Sequence, residues 1–425
     1  MMSATLLILF LALMIIRLPI AVCLGLSSAT VMILFNLPMT VLAQRTVNAL
    51  DSTPLLAVPL FIFAANLLSL SGVTNHLFEL VRMMVGWIRG GTAQVSVLVS
   101  LIFSGVSGAA LADIGALGAV QIKMMRKQGY SAEFASGITM AAATIGPIFP
   151  PSIPIIIFAS VANVSAVKLL IAGIVPAVLI TLLLMAQVAV MARIYKLPRD
   201  EVTFSIAAFA RKFIISLPAL AAPVLLIGGL ISGYFGPTEV AGVTVAYALL
   251  IGKFVYRQLD LKRVITAARD TVDATGSVLF IVSTAALFAW VLTMDRLPAT
   301  ASEFLLGLSS DPLVLLLIVN VLLLVVGMFL ESIAAILIIA PIITPAMMAA
   351  GVDPLQLGIV FVLNLMIGLL TPPVGMSLYM VSIIAKMPLH RVIRGGLPFL
   401  LPLFLSLLAV TCIPAISVWL PNLLD

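Results

Sequence analysis

Apolar stretches of about 20 residues return from one end of the chain to the other, separated by short segments that hold nearly all of the charge. At a rise of about 1.5 Å per residue, a helix needs roughly that length to cross a hydrocarbon core of about 30 Å. The pattern therefore predicts spans near 2–16, 18–37, 54–72, 131–163, 166–194, 213–236, 238–256, 275–294, 355–385 and 396–420. Two more apolar segments, 93–125 and 312–349, carry a Gly- or Ser-containing interruption. Each is expected to be a helical hairpin that enters and leaves on one side, because arms of about 15 residues fall short of the usual 17–25. The opening "MMSATLLILFLALMIIR" lacks the basic start of a secretory signal and is expected to be a retained first span.

Two spans are interrupted in their middle by helix-breaking residues. "IGPIFPPSIP" (145–154) and "IGLLTPPVGM" (367–376) each hold a Pro-Pro pair shortly after a glycine, and each proline removes a backbone donor at a cost of about 3 kcal/mol inside a helix. Adding 222 to a position in the first stretch gives its counterpart in the second, so that Gly146 answers to Gly368, Pro150 to Pro372 and Pro151 to Pro373. The same offset takes Gly105 to Gly327, Gly129 to Gly351, Gly173 to Gly395 and Pro176 to Pro398, so the chain reads as two copies of one unit. With five spans and one hairpin per copy, an odd number of crossings, the second copy is expected to be inverted. The fold class is then an all-α polytopic membrane protein of two inverted-topology repeats, about ten transmembrane helices, two re-entrant hairpins and two broken helices. Four regions follow. Residues 1–72 hold the scaffold helices of the first copy, and 73–194 an interfacial arm, hairpin, broken helix and following span. Residues 195–294 hold a cytoplasmic loop, the scaffold helices of the second copy and a second arm; 295–425 hold the second hairpin, broken helix and last span.

Composition agrees with this reading. The 425 residues are 63% hydrophobic and only 9% charged, far below the roughly 25% of soluble domains. With both termini outside, every Lys and Arg except Arg45, Lys168 and Arg296 falls in a cytoplasmic segment, as the positive-inside rule requires. That asymmetry accounts for the net charge of +6 without nucleic acid. Cys23 and Cys412 lie in apolar runs and are expected to be buried thiols rather than a disulfide. His76 and His390 fall in loops without Cys or carboxylate clusters, so no transition-metal spacing is present. No G-x-x-x-x-G-K-[ST] loop and no nucleophile–base pair points to an enzyme.

Broken helices survive in a membrane only where the freed backbone groups are buried or line a polar cavity, and inverted repeats with such breaks hold substrates and coupling ions in secondary transporters. The breaks at Gly146–Ser152 and Gly368–Gly375 therefore predict two related ion sites. In the first hairpin tip, "FSGVSGAALADIGALG" (103–118), Ser104, Ser107 and Gly108 offer hydroxyls and close backbone approach. Asp113 beyond it is either on an ion or proton path or a helix cap. In the second, "GMFLESIAA" (327–335), Glu331 is either a ligand or a structural acceptor. Asn364 and Thr371 add oxygens near the second break. No intramembrane arginine is evident to clamp a carboxylate, which leaves helix N-terminal amides or an arginine reaching in from outside.

At these residues the chain resembles the large membrane subunit of tripartite ATP-independent periplasmic (TRAP) transporters, over nearly its whole length. The resemblance rests on "SGAALADIGALG" with "MMRKQGY", on "GPIFPPSIP" and on "GLLTPPVG". The family's Ser-Gly-Ser at the first tip is Ser107-Gly108-Ala109 here, so one hydroxyl is missing. The resemblance implies a sodium-driven importer of the bacterial inner membrane, moving as an elevator. It implies an organic anion substrate (a dicarboxylate, sialic acid or sugar acid), a periplasmic substrate-binding protein and a small four-helix-type membrane subunit as partners. It further implies one Na+ among Ser107, Gly146, Phe149 and Pro151, and a second near Gly327, Gly368, Thr371 and Pro373. A carrier working without a binding protein and, in another class, an ion channel are the rival expectations.

Overall fold

The structure, a computed structural model, describes residues 1–200 and 205–424; Glu201–Phe204, within the expected cytoplasmic loop, lie outside the described residues. Every element among the described residues is helical. In the first half these are α1 (Met2–Ile15), α2 (Ile20–Leu34), α3 (Met39–Asn48), α4 (Thr53–Leu70), α5 (Val73–Val85), α6 (Gly91–Ser107), α7 (Ala110–Asp113), α8 (Ala119–Lys127), α9 (Ala132–Ala143), α10 (Ile153–Ala162), α11 (Ala166–Ala172) and α12 (Ile174–Ile194). The second half holds α13 (Ile206–Ile231), α14 (Pro237–Leu250), α15 (Leu261–Met294), α16 (Leu297–Leu308), α17 (Pro312–Phe329), α18 (Ser332–Ala349), α19 (Pro354–Gly368), α20 (Met376–Ala385), α21 (Leu389–Cys412) and α22 (Ala415–Leu423). A π-helical stretch, Ile114–Gly118, joins α7 to α8. Among the described residues, eight helical segments are long and apolar enough to cross a membrane, so the chain is a multi-pass membrane protein.

The offset of 222 carries into the elements. Shifted by it, Ala132–Ala143 lands inside α19, Gly91–Ser107 inside α17, and Ala110–Lys127 on the residues of α18. Both α3 and α4 land inside α15, a single helix of 34 residues. Where α15 runs on through Thr275 and Gly276, the first half has Thr53 and Pro54. Pro54 has no N–H and disfavours helical geometry in the residue before it, so α3 and α4 part there.

Several boundaries differ from the sequence expectation. The hairpin arms α6, α17 and α18 hold 17 or 18 residues, longer than expected, so arm length does not distinguish a hairpin from two spans. The segment 275–294 is only the end of α15, which begins at Leu261 in a stretch expected to be loop. The last span, 396–420, is split between α21 and α22 at Ile413 and Pro414, where the proline removes a donor. The helices α3 and α16 sit between expected spans. Cys23 is buried, but Cys412 is exposed rather than buried.

Two sets of helices can be followed through the packing, and they meet where α15 packs on α18 and where α4 packs on α6 and α10. One is built around α15, which lies against α2, α3 and α4, with α14 against α4. In the other, the halves of the broken helices exchange partners: α10 packs on α18, α20 packs on the α7–α8 arm, and α9 packs on α21. Ion pairs join loops expected on one side: Arg82 with Asp200, Lys212 with Glu79 and Arg391 with Glu133. At the opposite end the Ser3 amide donates to Asp295 at 2.7 Å, which holds that carboxyl below its ordinary range and ties α1 to the end of α15.

Candidate functional site

The first break begins where the alanine-rich α9 runs out of donors. Gly146 N–H closes a last tight turn onto Ala143, and Phe149 N–H bonds Ile145 at 2.9 Å. The Pro150–Pro151 bond that follows is cis. Ser152 restarts the helix as N-cap of α10: its Oγ accepts the Ile155 amide at 3.2 Å and donates to the Pro147 carbonyl. Pro154 falls in the first turn, where a missing donor is harmless. The second break has the same plan, with a cis Pro372–Pro373 bond, Thr371 Oγ1 bonded back to Ile367 at 2.8 Å and Gly375 leading into α20.

Each hairpin tip is bonded to the break of its own half. Ile153 N–H donates to Gly108 O at 3.2 Å, and Gly375 N–H donates to Met328 O at 3.0 Å; the repeat offset relates the two donors to one another. Gly108 occupies the left-handed region at φ +67°, and a Cβ there would stand 2.4 Å from the Pro151 carbonyl oxygen, so only glycine lets the tip approach this closely. At the second tip the contact is backbone against backbone: a Cβ on Gly368 would lie 2.6 Å from Gly327 Cα.

The polar side chains fall into distinct situations. Asp113 closes α7 and is buried against the first break, where a Cβ on Gly146 would meet its Oδ2 at 2.3 Å. It makes no capping bond; both its oxygens and Ser107 Oγ are buried without a hydrogen-bond partner among the described residues. The helix-cap reading of Asp113 is thereby excluded. Ser104 is satisfied by its own helix, bonding Leu101 O at 2.6 Å. Glu331 is the N-cap of α18, accepting from Ile333 N at 2.9 Å, Ala334 N at 3.3 Å and Ser332 Oγ at 2.8 Å, so it is a structural acceptor. Asn364 donates to Asn320 at 2.8 Å, and Asn320 donates to Thr411 at 2.9 Å, a polar chain across α19, α17 and α21 that leaves Asn364 Oδ1 without a partner.

The breaks also leave main-chain oxygens free. No described backbone amide donates to the carbonyls of Gly146, Phe149 or Pro151, nor to those of Gly327, Thr371 or Pro373; the Gly368 carbonyl accepts Thr371 N–H. Hard cations are held by such oxygens, so the donor set at both breaks fits a small alkali cation. No cluster of three or more His, Cys, Asp or Glu occurs among the described residues. The environments differ: Gly146 and Pro151 are buried, whereas Pro373 is exposed.

Two cavities adjoin these elements. A small one of about 50 Å³ lies where the tips converge, between Ala109–Leu111, Pro147, Glu331–Ile333 and Met366. A larger one of about 530 Å³ separates the two helix groups, with Arg45 of α3, Trp290 and Thr293 of α15 on one wall and Ser160 and Asn163 on the other. Arg45 has no ion pair among the described residues. Sequence reasoning placed Arg45 outside and passed over Asn320, although a lone Asn within "LLLIVNVLLL" was a visible signal.

Comparison with known proteins places this arrangement. Residues 7–416 match the family described as tripartite ATP-independent periplasmic transporter, DctM component. The sialic acid TRAP transporter large permease protein SiaM of Vibrio cholerae is 40% identical over 384 residues, 90% of this chain and 89% of that one. The C4-dicarboxylate TRAP transporter large permease protein DctM of Pseudomonas aeruginosa is 40% identical over 404 residues, 94% and 93% of the two chains. Among solved structures, the YdaH transporter of Alcanivorax borkumensis is similar in fold, with a TM-score of 0.63 at 20% identity over 90% of this chain and 87% of that one. The chain belongs to the DctM family, the large permease component of tripartite ATP-independent periplasmic transporters.

Proposed function

We propose that this permease couples sodium entry to the import of a small organic anion across the bacterial inner membrane. It would receive its solute from a periplasmic binding protein and work beside a small four-helix-type membrane subunit. The observation that carries the reading is the pairing of each hairpin tip with a mid-helix break at which several carbonyls, those of Gly146, Phe149 and Pro151 and of Thr371 and Pro373, accept no described backbone amide. One Na+ would be held among Ser107, Gly146, Phe149 and Pro151, with Asp113 supplying negative charge beside it. The other would be held near Gly327, Gly368, Thr371 and Pro373. The relatives named for sialic acid and C4-dicarboxylate transport support a carboxylate as the solute class.

The matching element order and the unequal charge of the hairpin exits, basic at 123–127 and uncharged at 342–352, support two inverted copies with hairpins opening to opposite faces. The division between the α15-centred group and the interlocked hairpins and broken helices supports an elevator, the second group moving against the first. The larger cavity, between the groups, is of ligand size at about 530 Å³, and the free guanidinium of Arg45 is the carboxylate-binding group on its wall.

A second reading, proton coupling without a binding protein, is favoured by one observation, the unpartnered buried carboxyl of Asp113. Reconstituted uptake separates the two. The chain, its co-purifying membrane subunit and the binding protein loaded with N-acetylneuraminate, a C4-dicarboxylate or a sugar acid are placed in vesicles under either gradient. Uptake should follow the sodium gradient, Ser107→Ala should raise the half-saturating sodium about 10-fold, and Arg45→Gln should raise the solute KM with little change in sodium dependence. Uptake driven by protons alone, and lost in Asp113→Asn, would replace sodium by protons.

A further inference from the structure

At the basic end of the first hairpin, α8 and the end of α20 enclose a groove of about 720 Å³. Lys123, Arg126 and Lys127 line it from α8, and Lys386, at the C-cap of α20, lines it from the other copy. Its floor is apolar, built with Ile122 and Ile384. None of the four cations has an ion pair or side-chain hydrogen bond among the described residues, whereas Arg82, Lys212 and Arg391 on this face are matched by Asp200, Glu79 and Glu133; what sets the four apart from the remaining unmatched cations is their convergence on one concavity.

Like charges at i, i+3 and i+4 repel, and bringing a fourth from a different element adds to the strain. The positive-inside rule explains why the cations are on this side. It does not explain their convergence from two copies around one concavity. A dipole role at the C-terminus of α8 suits Arg126 and Lys127 but not Lys123, which lies a turn earlier.

We propose that this groove binds the headgroup of an anionic phospholipid of the cytoplasmic leaflet. The phosphate would be met by Lys123, Arg126, Lys127 and Lys386, and the first methylenes of an acyl chain would lie along Ile122 and Ile384. An apolar floor beneath a basic rim matches an amphiphile better than a soluble anion, and the cytoplasmic leaflet is where anionic lipid attracts basic residues. A lipid held there clamps the return arm of the first hairpin to the second half of the other copy's broken helix. The site is separate from the ion and solute sites, so its failure would leave the transport reading untouched.

The test is lipid titration of the full-length purified protein, followed by native mass spectrometry, with phosphatidylglycerol, phosphatidylcholine and inorganic phosphate as separate probes. Wild type should retain phosphatidylglycerol over phosphatidylcholine. Each cation contributes about five-fold in affinity, so Lys123→Gln/Lys386→Gln should weaken retention about 25-fold and the quadruple Gln variant further. The charge-matched control Arg257→Gln/Arg269→Gln should bind as wild type does. Should the quadruple variant misfold, the double variant decides alone. Equal retention of the two lipids, an unaffected double variant, or complete displacement by millimolar inorganic phosphate would each overturn the proposal, the last by assigning the groove to a soluble anion.

Discussion

Both oxygens of Glu331 accept hydrogen bonds from residues just after it, whereas neither oxygen of Asp113 accepts any among the described residues. Position along the chain could not separate these two carboxylates, because each follows a hairpin tip and the difference lies in where the side chain turns. Ala109 shows the converse. It occupies the N-cap position of α7, with extended dihedrals and no side-chain cap, at the point where the family pattern has a serine. A cap is worth about 0.5–2 kcal/mol. Glu331→Ala should therefore lower the thermal unfolding midpoint in detergent, and Ala109→Ser should raise it. Movement of either midpoint in the other direction would remove the capping account of that tip.

The breaks were legible because their signal is compositional. A doubled proline after a glycine must interrupt a helix wherever it sits, and the interruption recurs at the matching place in the second copy. Other features depend on contacts between elements and left little trace. The continuity of α15 turns on Gly276 standing where the first half has Pro54, and the polar chain through Asn320 appears only once α17, α19 and α21 are side by side. Arg45 is one of the arginines expected outside, from which one could reach in, and the sequence could not single it out; α3 sets it on a cavity wall. The contact between α17 and α19 shows how little slack the site has, since Gly327 and Gly368 touch through main chain alone. A methyl group there meets no side chain that can rotate away. Gly368→Ala should thus cost about 1–3 kcal/mol and separate the second tip from its break, whereas Gly351→Ala, with open space but φ +89°, should cost only backbone strain. Equal unfolding midpoints for Gly368→Ala and wild type would show that the two helices part freely.

At the scale of the molecule, the hydrophobic surface facing outward is extensive along α13, with Ile214, Leu217 and Val224 exposed, as a lipid-facing or subunit-facing wall requires. Within, α10 packs against α18 and α20 against the first hairpin's return arm, so the second half of each broken helix rests on the other copy. A cation that orders one break must tighten an element shared with the other, and the second ion then meets a partner whose loss of freedom has already occurred. Transport rate plotted against sodium is expected to rise sigmoidally, with a Hill coefficient above one, and Ser107→Ala should flatten the curve toward a hyperbola. A hyperbolic wild-type curve would mean that the two positions fill independently. If sodium is the coupling ion, as proposed, the interleaving of the halves would make the duplicated chain a cooperative device, with a thresholded response to external salt following from the way the copies are woven together.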